Sequence, residues 1–359
     1  MKIAQVAPLM EAVPPKLYGG TERIVSYLTD QLVELGHNVT LFASGDSVTN
    51  ATLEPVWPCA LRLYGAMRDY LAPHIVMIEQ LARRADEFDI IHLHLDYLGY
   101  PILRRAATPF LATLHGRLDL PELARLYETF DDVPVVSISN SQREPLPQAH
   151  YVATVLHGIP ARLLLPGFGA GGYLAFLGRI SPEKRPDRAI RIALKAGMTL
   201  KIAAKVDAVD REYFESTIKP LLSEPGIEFL AEINESQKVN FLGNAYAYLF
   251  PIDWPEPFGL AMIEAMACGT PVVAFRCGSV PELIEDGVTG FIVKSEEEAV
   301  KALPHVASIN RAKCRATFER RFTATRMAKD YLSIYHSLVE DLPRVQAIPT
   351  LELPNTLMS

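Results

Sequence analysis

The chain predicts an α/β fold built from two units, each a parallel β-sheet layered with helices, facing one another across a cleft. Three observations lead there. Short apolar runs of strand length alternate with helical patterns along most of the 359 residues, which argues for βαβ units and parallel sheets. The alternation stops in a Gly- and Pro-rich stretch over 160–172 (PARLLLPGFGAGG) and then restarts, as at a linker. The length itself suggests two domains. Residues 1–165 then form the first unit and 166–322 the second. A helix over 323–342 and a tail over 343–359, which contains three prolines and little pattern, follow.

In the first unit the strand-like runs are 2–7, 38–44, 90–94, 110–115, 133–139 and 152–157. The clearest helix runs over 22–35 after Gly19-Gly20. Its Ile24, Val25, Leu28, Leu32 and Leu35 fall at the three- and four-residue spacing of one buried face, and Gly36 supplies the stop. A helix-like stretch over 61–85 carries Arg62, Arg68, Arg83 and Arg84 among apolar residues. It reads as a core helix with exposed arginines, or as a face that touches a membrane-bound lipid acceptor. In the second unit the strand runs are 173–177, 200–205, 227–231, 247–252, 271–275 and 291–293, separated by helical patterns over 186–196, 210–222, 235–244 and 260–267. Two such arrays put loops at the carboxyl ends of their strands on either side of the cleft.

Composition narrows the function. Hydrophobic residues make up 49% of the chain and the net charge is −7. Residues 1–165 hold 13 Lys+Arg against 18 Asp+Glu (−5), and the remainder 22 against 24 (−2). Neither half is basic, which speaks against a nucleic-acid partner. No apolar run reaches the roughly 18 residues of a membrane span, and MKIAQVAP lacks the apolar stretch of a signal peptide. The expected location is the cytoplasm, with contact at the inner membrane face as the alternative that residues 61–85 raise. Cys59, Cys268, Cys277 and Cys314 form no CxxC and read as reduced thiols, with Cys268 and Cys277 in the core of the second unit.

The segment 250–271, FPIDWPEPFGLAMIEAMACGTP, is the most informative. An apolar run ends in a proline-rich turn, and Pro257 is placed to open a helix, where its missing N–H is not needed. Gly259 keeps bulk away from that helix start, whose free N–H groups suit a phosphate. Glu256 and Glu264 are eight positions apart, about 12 Å along a helix at roughly 1.5 Å per residue. Glycosidase carboxylate pairs sit about 5–9.5 Å apart, so these two suit opposite ends of a longer molecule with a diphosphate at its middle. Taken alone, the pair also fits an amphipathic surface helix with both carboxylates solvated.

Other motifs lie at strand ends. Gly19 and Gly20, in YGGTE, follow the first strand and open the long helix, which lets backbone approach a ligand closely; an unliganded turn has the same look. Arg179 and Lys184, in GRISPEK, follow the first strand of the second unit and can converge on one diphosphate, the Arg as a planar fork and the Lys as a point charge. His115 ends the run FLATLHG at a carboxyl strand end, where α/β proteins place ligands. His92 and His94 form an HxH without third and fourth metal ligands at a convincing spacing. Ser139 and Ser141 lack the glycines of a nucleophile elbow.

The string PEPFGLAMIEAMACGTPVVA resembles the E-x7-E signature of retaining glycosyltransferases with the two-Rossmann-domain GT-B fold, family 4 above all, and the likeness covers nearly the whole chain. It implies an acceptor-side first domain (1–165), a nucleotide-sugar donor domain (166–322) and a final helix (323–342) that crosses back. It implies a metal-independent hexosyl transfer in carbohydrate biosynthesis, from a UDP- or GDP-linked sugar to a carbohydrate, lipid or small-molecule acceptor. The donor is a co-substrate, with no cofactor and no metal. By the same likeness Glu256 and His115 reach the donor sugar and Glu264 the ribose. Pro257, Phe258, Gly259 and Leu260 meet sugar and phosphate, Arg179 and Lys184 bind the diphosphate, and Gly19-Gly20 lie against it.

The chain departs from the family pattern at three places. Arg185 stands for the usual Gly after the Lys, His157-Gly158-Ile159-Pro160 stands where relatives carry Asn-Gly and an acid, and Ala203–Asp207 (AAKVD) replaces a Gly-rich turn. Two other functions share the expected architecture: a nucleotide-sugar 2-epimerase, and a non-catalytic sugar-nucleotide-binding subunit.

Overall fold

The computed structural model describes residues 1–16, 19–65 and 67–340. Tyr18 of the glycine loop, the last two residues of the helix expected over 323–342 and the tail over 343–359 lie outside the described residues.

Two all-parallel sheets make up the molecule. The first contains β1 (Lys2–Val6), β2 (Asn38–Ser44), β3 (Thr52–Trp57), β4 (Ile90–Leu93), β5 (Phe110–Thr113), β6 (Val135–Ser137) and β7 (Tyr151–Thr154), in the order β3-β2-β1-β4-β5-β6-β7. The second contains β8 (Leu174–Arg179), β9 (Leu200–Lys205), β10 (Ile227–Ala231), β11 (Ala247–Phe250), β12 (Val272–Phe275) and β13 (Gly290–Val293), in the order β10-β9-β8-β11-β12-β13. The central strands are buried on both faces, β4 and β5 along their whole length, which is why they read as continuous apolar runs. In each sheet the strand order reverses once, between β1 and β4 and between β8 and β11. Crevices form at such switch points, and the two crevices face each other.

The helix Gly20–Glu34 buries Ile24, Val25, Leu28 and Leu32 on one stripe. The helix Ala324–Glu340 presents Met327, Ala328, Tyr331 and Tyr335 at the same spacing, and these share one core with Ile24, Leu28 and Leu32 and with Ile3, Ile90 and Leu111 of the first sheet. The last helix therefore returns from the second sheet to the first. It passes beside the outgoing connection: Ile159 N–H donates to Phe322 O (3.0 Å) and Ala324 N–H to Ile159 O (2.9 Å). Gly158 lets these backbones touch, since a Cβ there would lie 2.2 Å from Thr323 O.

Four local differences from the sequence reading have physical causes. Strand β3 has no alternating signal because it is a half-exposed edge strand, and its Pro55 is tolerated only because an edge does not need every N–H. The stretch 61–85 is not one helix: a 3₁₀ turn (Leu61–Leu63) precedes the helix Leu71–Ala82, whose start Asp69 caps by accepting from the Leu71 and Ala72 amides. Over 208–221 the helical path contains a π turn, Phe214–Ile218, just before Pro220, whose ring and missing N–H disrupt the regular ladder. Pro257 does not open a helix. The helix is Leu260–Ala267, and Gly259 before it takes φ +86, a left-handed turn that separates Pro257 from the helical path.

Candidate active site

A cavity of about 580 Å³ occupies the cleft between the carboxyl ends of both sheets. All eleven residues singled out from the sequence line it: Gly19, Gly20, His115, Arg179, Lys184, Glu256, Pro257, Phe258, Gly259, Leu260 and Glu264. The first lobe contributes the glycine loop after β1 and His115 after β5. The second contributes Arg179 at the end of β8, Lys184 in the next loop, and the 256–264 segment after β11.

The turn carrying Glu256 is built by its neighbours. Gly278 packs so closely beneath it that a Cβ would lie 2.4 Å from Glu256 N. Ser279 N–H donates to Glu256 O (3.0 Å) and Ser279 Oγ to Phe258 O (2.6 Å). From the other lobe, Ser139 Oγ donates to Pro257 O (2.6 Å). Gly259 then turns the chain into the helix; a Cβ there would meet Met262 Cε at 2.7 Å and Phe250 Cζ at 3.1 Å. Met262 N–H donates to Gly259 O (3.0 Å), and the earlier backbone N–H groups of a helix start lack intrahelical partners and suit an anion.

The cavity charges are paired across short distances. Lys184 Nζ bonds Glu256 Oε2 and lies 5.3 Å from the centroid of the Trp254 ring. Lys238 Nζ bonds Glu264 Oε1 (2.7 Å) and Glu235 Oε1 (3.4 Å). Glu235 in turn accepts from Arg23 of the first lobe (2.5 Å) and from Tyr27 Oη (3.2 Å). Arg179 faces Glu183 (3.1 Å), Asp210 (3.3 Å) and Asp207 (3.9 Å). Asp207, at the end of β9 where the Gly-rich turn is replaced, also meets Lys205 (2.9 Å). The cavity cations Arg179, Lys184 and Lys238 are therefore each held by carboxylates.

Histidines form the floor of the first lobe. His115 Nε2 lies 2.8 Å from His94 Nδ1, and burial lowers the His115 pKa to about 3. The His157 ring stacks on His115 (centroids 5.3 Å, planes 19° apart) and meets Phe258 edge-on (4.9 Å). Burial also holds His157 well below the ordinary histidine pKa. His92 and His94 are buried and bond to Thr113, Tyr335 and Gln5. Among the described residues no three His, Cys, Asp or Glu are grouped to hold a metal ion. Cys268 and Cys314 are buried free thiols, whereas Cys277 is only half-buried.

Sequence reasoning missed Arg23, His157, Lys238 and Trp254, which also line the cavity. Arg23 and Lys238 are charged residues on helices, and no local spacing marks them. His157 had a signal, its place at the end of the last strand run of the first lobe, two strand runs after the one that ends in His115.

Two family models match: Glycosyltransferase Family 4 over residues 18–160 and Glycosyl transferases group 1 over residues 169–317. Among curated proteins the chain is similar to D-inositol 3-phosphate glycosyltransferase of Saccharomonospora viridis, 30% identical over 240 residues, which cover 61% of this chain and 53% of that protein. The Mycolicibacterium smegmatis protein of the same description is 26% identical over 337 residues, covering 78% and 76%. The chain thus spans about half the length of the first of these relatives and about three quarters of the second. Among solved structures, Anabaena Alr3699/HepE in complex with UDP and glucose has a TM-score of 0.73 at 19% identity, covering 94% of this chain and 100% of that one. That likeness is one of fold.

Proposed function

We propose an activity for this chain from what it is: it belongs to the GT-B glycosyltransferases of family 4. It moves a hexose from a nucleotide-diphosphate sugar to an acceptor hydroxyl with retention and without a metal. The observation that carries this reading is the gathering of all eleven candidate residues around one inter-lobe cavity. We divide the chain into an acceptor-side domain (1–165), a donor domain (166–322) and a returning helix (323–342).

In this mechanism the diphosphate enters between Arg179 and Lys184 and displaces their carboxylate partners, while the amides at Phe258–Leu260 meet its oxygens. That stabilises leaving-group charge electrostatically. Glu264, supported by Lys238, holds the ribose at one end. Glu256, released from Lys184, and His115 hold the sugar at the other. The acceptor attacks from the leaving-group side, and a donor phosphate oxygen takes its proton. Contacts across the cleft such as Arg23–Glu235 and Ser139–Pro257 support closure of the lobes over the donor, which excludes water and suppresses hydrolysis. The UDP complex of the Anabaena neighbour favours a uridine diphosphate donor over a guanosine one. A lipid-linked acceptor also has support: Leu63, Tyr64, Tyr70, Leu71, Ile75 and Val76 are each exposed, in the same stretch of chain as Arg62 and Arg68. Co-sedimentation with anionic vesicles tests it.

Thermal unfolding against UDP-, GDP- and ADP-sugars checks the donor. The correct one, at about 100 times its Kd, adds about 2.7 kcal/mol to stability. No shift with any of the three sinks the reading. Incubation with donor alone leaves the sugar intact; conversion to an epimer identifies an epimerase instead.

A further inference from the structure

A chain of buried hydrogen bonds runs from His115 to the last helix. His115 Nε2 meets His94 Nδ1 (2.8 Å), and His94 Nε2 meets Gln5 Oε1 (2.8 Å). Gln5 Nε2 donates to Tyr335 Oη (3.0 Å), which lies 2.7 Å from His92 Nδ1. A side branch continues from His92 Nε2 to Thr113 Oγ1 (2.7 Å) and on to Tyr331 Oη (2.8 Å). Gln5, His92, Thr113 and Tyr335 have no exposed surface, and His94 and Tyr331 have almost none. A polar network this deep has to be satisfied at each link.

The links set one another's protons. Gln5 Oε1 is acceptor-only, so the hydrogen on His94 is on Nε2. Burial keeps His94 neutral, which leaves its Nδ1 a bare acceptor, so His115 donates to it from Nε2. His115 Nδ1 is then bare as well. That atom is buried and has no partner among the described residues. The reversed setting, with the Gln5 amide turned over, would place an N–H there, and an orphaned buried donor is the rarer and costlier case. The ring stack with His157 closes the other face.

We propose that Gln5, His94 and Tyr335 are positioning residues for His115: they hold its ring neutral with the proton on Nε2, and they tie that setting to the seating of the helix Ala324–Glu340 on the first sheet. With its Nε2 proton committed to His94 and its Nδ1 bare, His115 is not a proton donor in the reaction. The inference rests on the proposed role of His115 at the donor sugar, but its central observable needs no substrate.

Long-range proton–nitrogen spectra of the ¹⁵N-histidine-labelled protein read each ring's tautomer, with His115 assigned by loss of its signals in His115→Asn. The expected result near pH 7 is Nε2–H on both His94 and His115. Nδ1–H on His115, or a charged ring, overturns the proposal. Tyr335→Phe is expected to give mixed tautomers at His94 and His115 and to lower kcat about 10- to 100-fold, with the donor KM within about twofold. Tyr331→Phe removes a hydroxyl from the same helix at the end of the side branch, and is expected to change both readings less than Tyr335→Phe does. Wild-type tautomers and turnover in Tyr335→Phe would refute the coupling. A wild-type protein that shows the Nε2–H tautomers yet transfers no sugar refutes the proposed activity and leaves the network standing.

Discussion

Glu256 and Glu264 each bond a lysine inside the cavity, and their side chains are only 12% and 6% exposed. A change at either one acts on its lysine too, so the neutral isostere is the cleaner probe. Glu264→Gln is expected to raise the donor KM about 10-fold or more with kcat nearly constant. Glu256→Gln is expected to lower kcat about 100-fold with KM little changed, the cost of losing one preorganised contact at the reacting sugar. Initial-rate kinetics with saturating acceptor separate the two; equal effects on kcat and KM in both variants would reject the assigned roles. His157 offers a test by pH. Its folded pKa is depressed by burial, so the unfolded chain takes up the proton as pH falls below the ordinary value of about 6.5. Stability is then lost at about 1.4 kcal/mol per pH unit for this group. The buried acids Glu11 and Glu22, whose pKa values burial raises, act in the opposite sense. The measurement is therefore a difference: denaturant unfolding of His157→Phe should show a shallower loss than wild type between pH 6.5 and 5. Parallel curves refute it. Residues such as Glu256, Gly259 and Glu264 were legible in the sequence because they sit in one dense string after a strand. His157 also ends a strand run but was passed over, because the family pattern puts a different side chain there.

The turn from β11 into the helix Leu260–Ala267 shows why local signals are read well in kind and less well in register. The apolar run and the helix both form where the pattern puts them, yet the left-handed Gly259 moves the helix start three residues past Pro257. Gly259→Ala is expected to cost about 1–2 kcal/mol for the left-handed backbone alone, with added strain against Met262 and Phe250, and to weaken donor binding. Unfolding midpoints and donor KM check it; wild-type values in both would show that the turn has no fixed geometry. Contacts distant in sequence were illegible for another reason. Arg311 donates to Gly167 O, Ala245 O, Gly243 O and Thr270 Oγ1, and Arg315 to Leu164 O, Ala267 O and Ala161 O. Two arginines on one helix thus fasten the connection over 161–167 to the second lobe. Nothing in the local spacing of Arg311 and Arg315 announces a bond across more than a hundred residues.

Across the whole molecule the lobes are joined by side-chain contacts as well as by the chain. Arg23 and Tyr27 of one lobe reach Glu235 of the other, and Glu282 accepts from the Asn140 and Ser141 amides. A double-mutant cycle on Arg23→Ala and Glu235→Ala, read as donor affinity, is expected to show a coupling of about 1 kcal/mol that shrinks in high salt. Additive effects would mean that the two side chains act independently on the donor. The doubled array and the restart after 172 made two lobes legible from the sequence, since periodicity and glycine content survive any relative placement. The face they share was not, because its residues come from separate elements and single positions.

The paired crossings beside Gly158 have a mechanical consequence. Two backbones bonded at Ile159 and pressed together at Thr323 form a short ribbon, flexible about its long axis and stiff against shear. Such a ribbon would let the lobes turn about it more readily than slide along one another. Turning about one axis would keep the register between the two rims of the cavity.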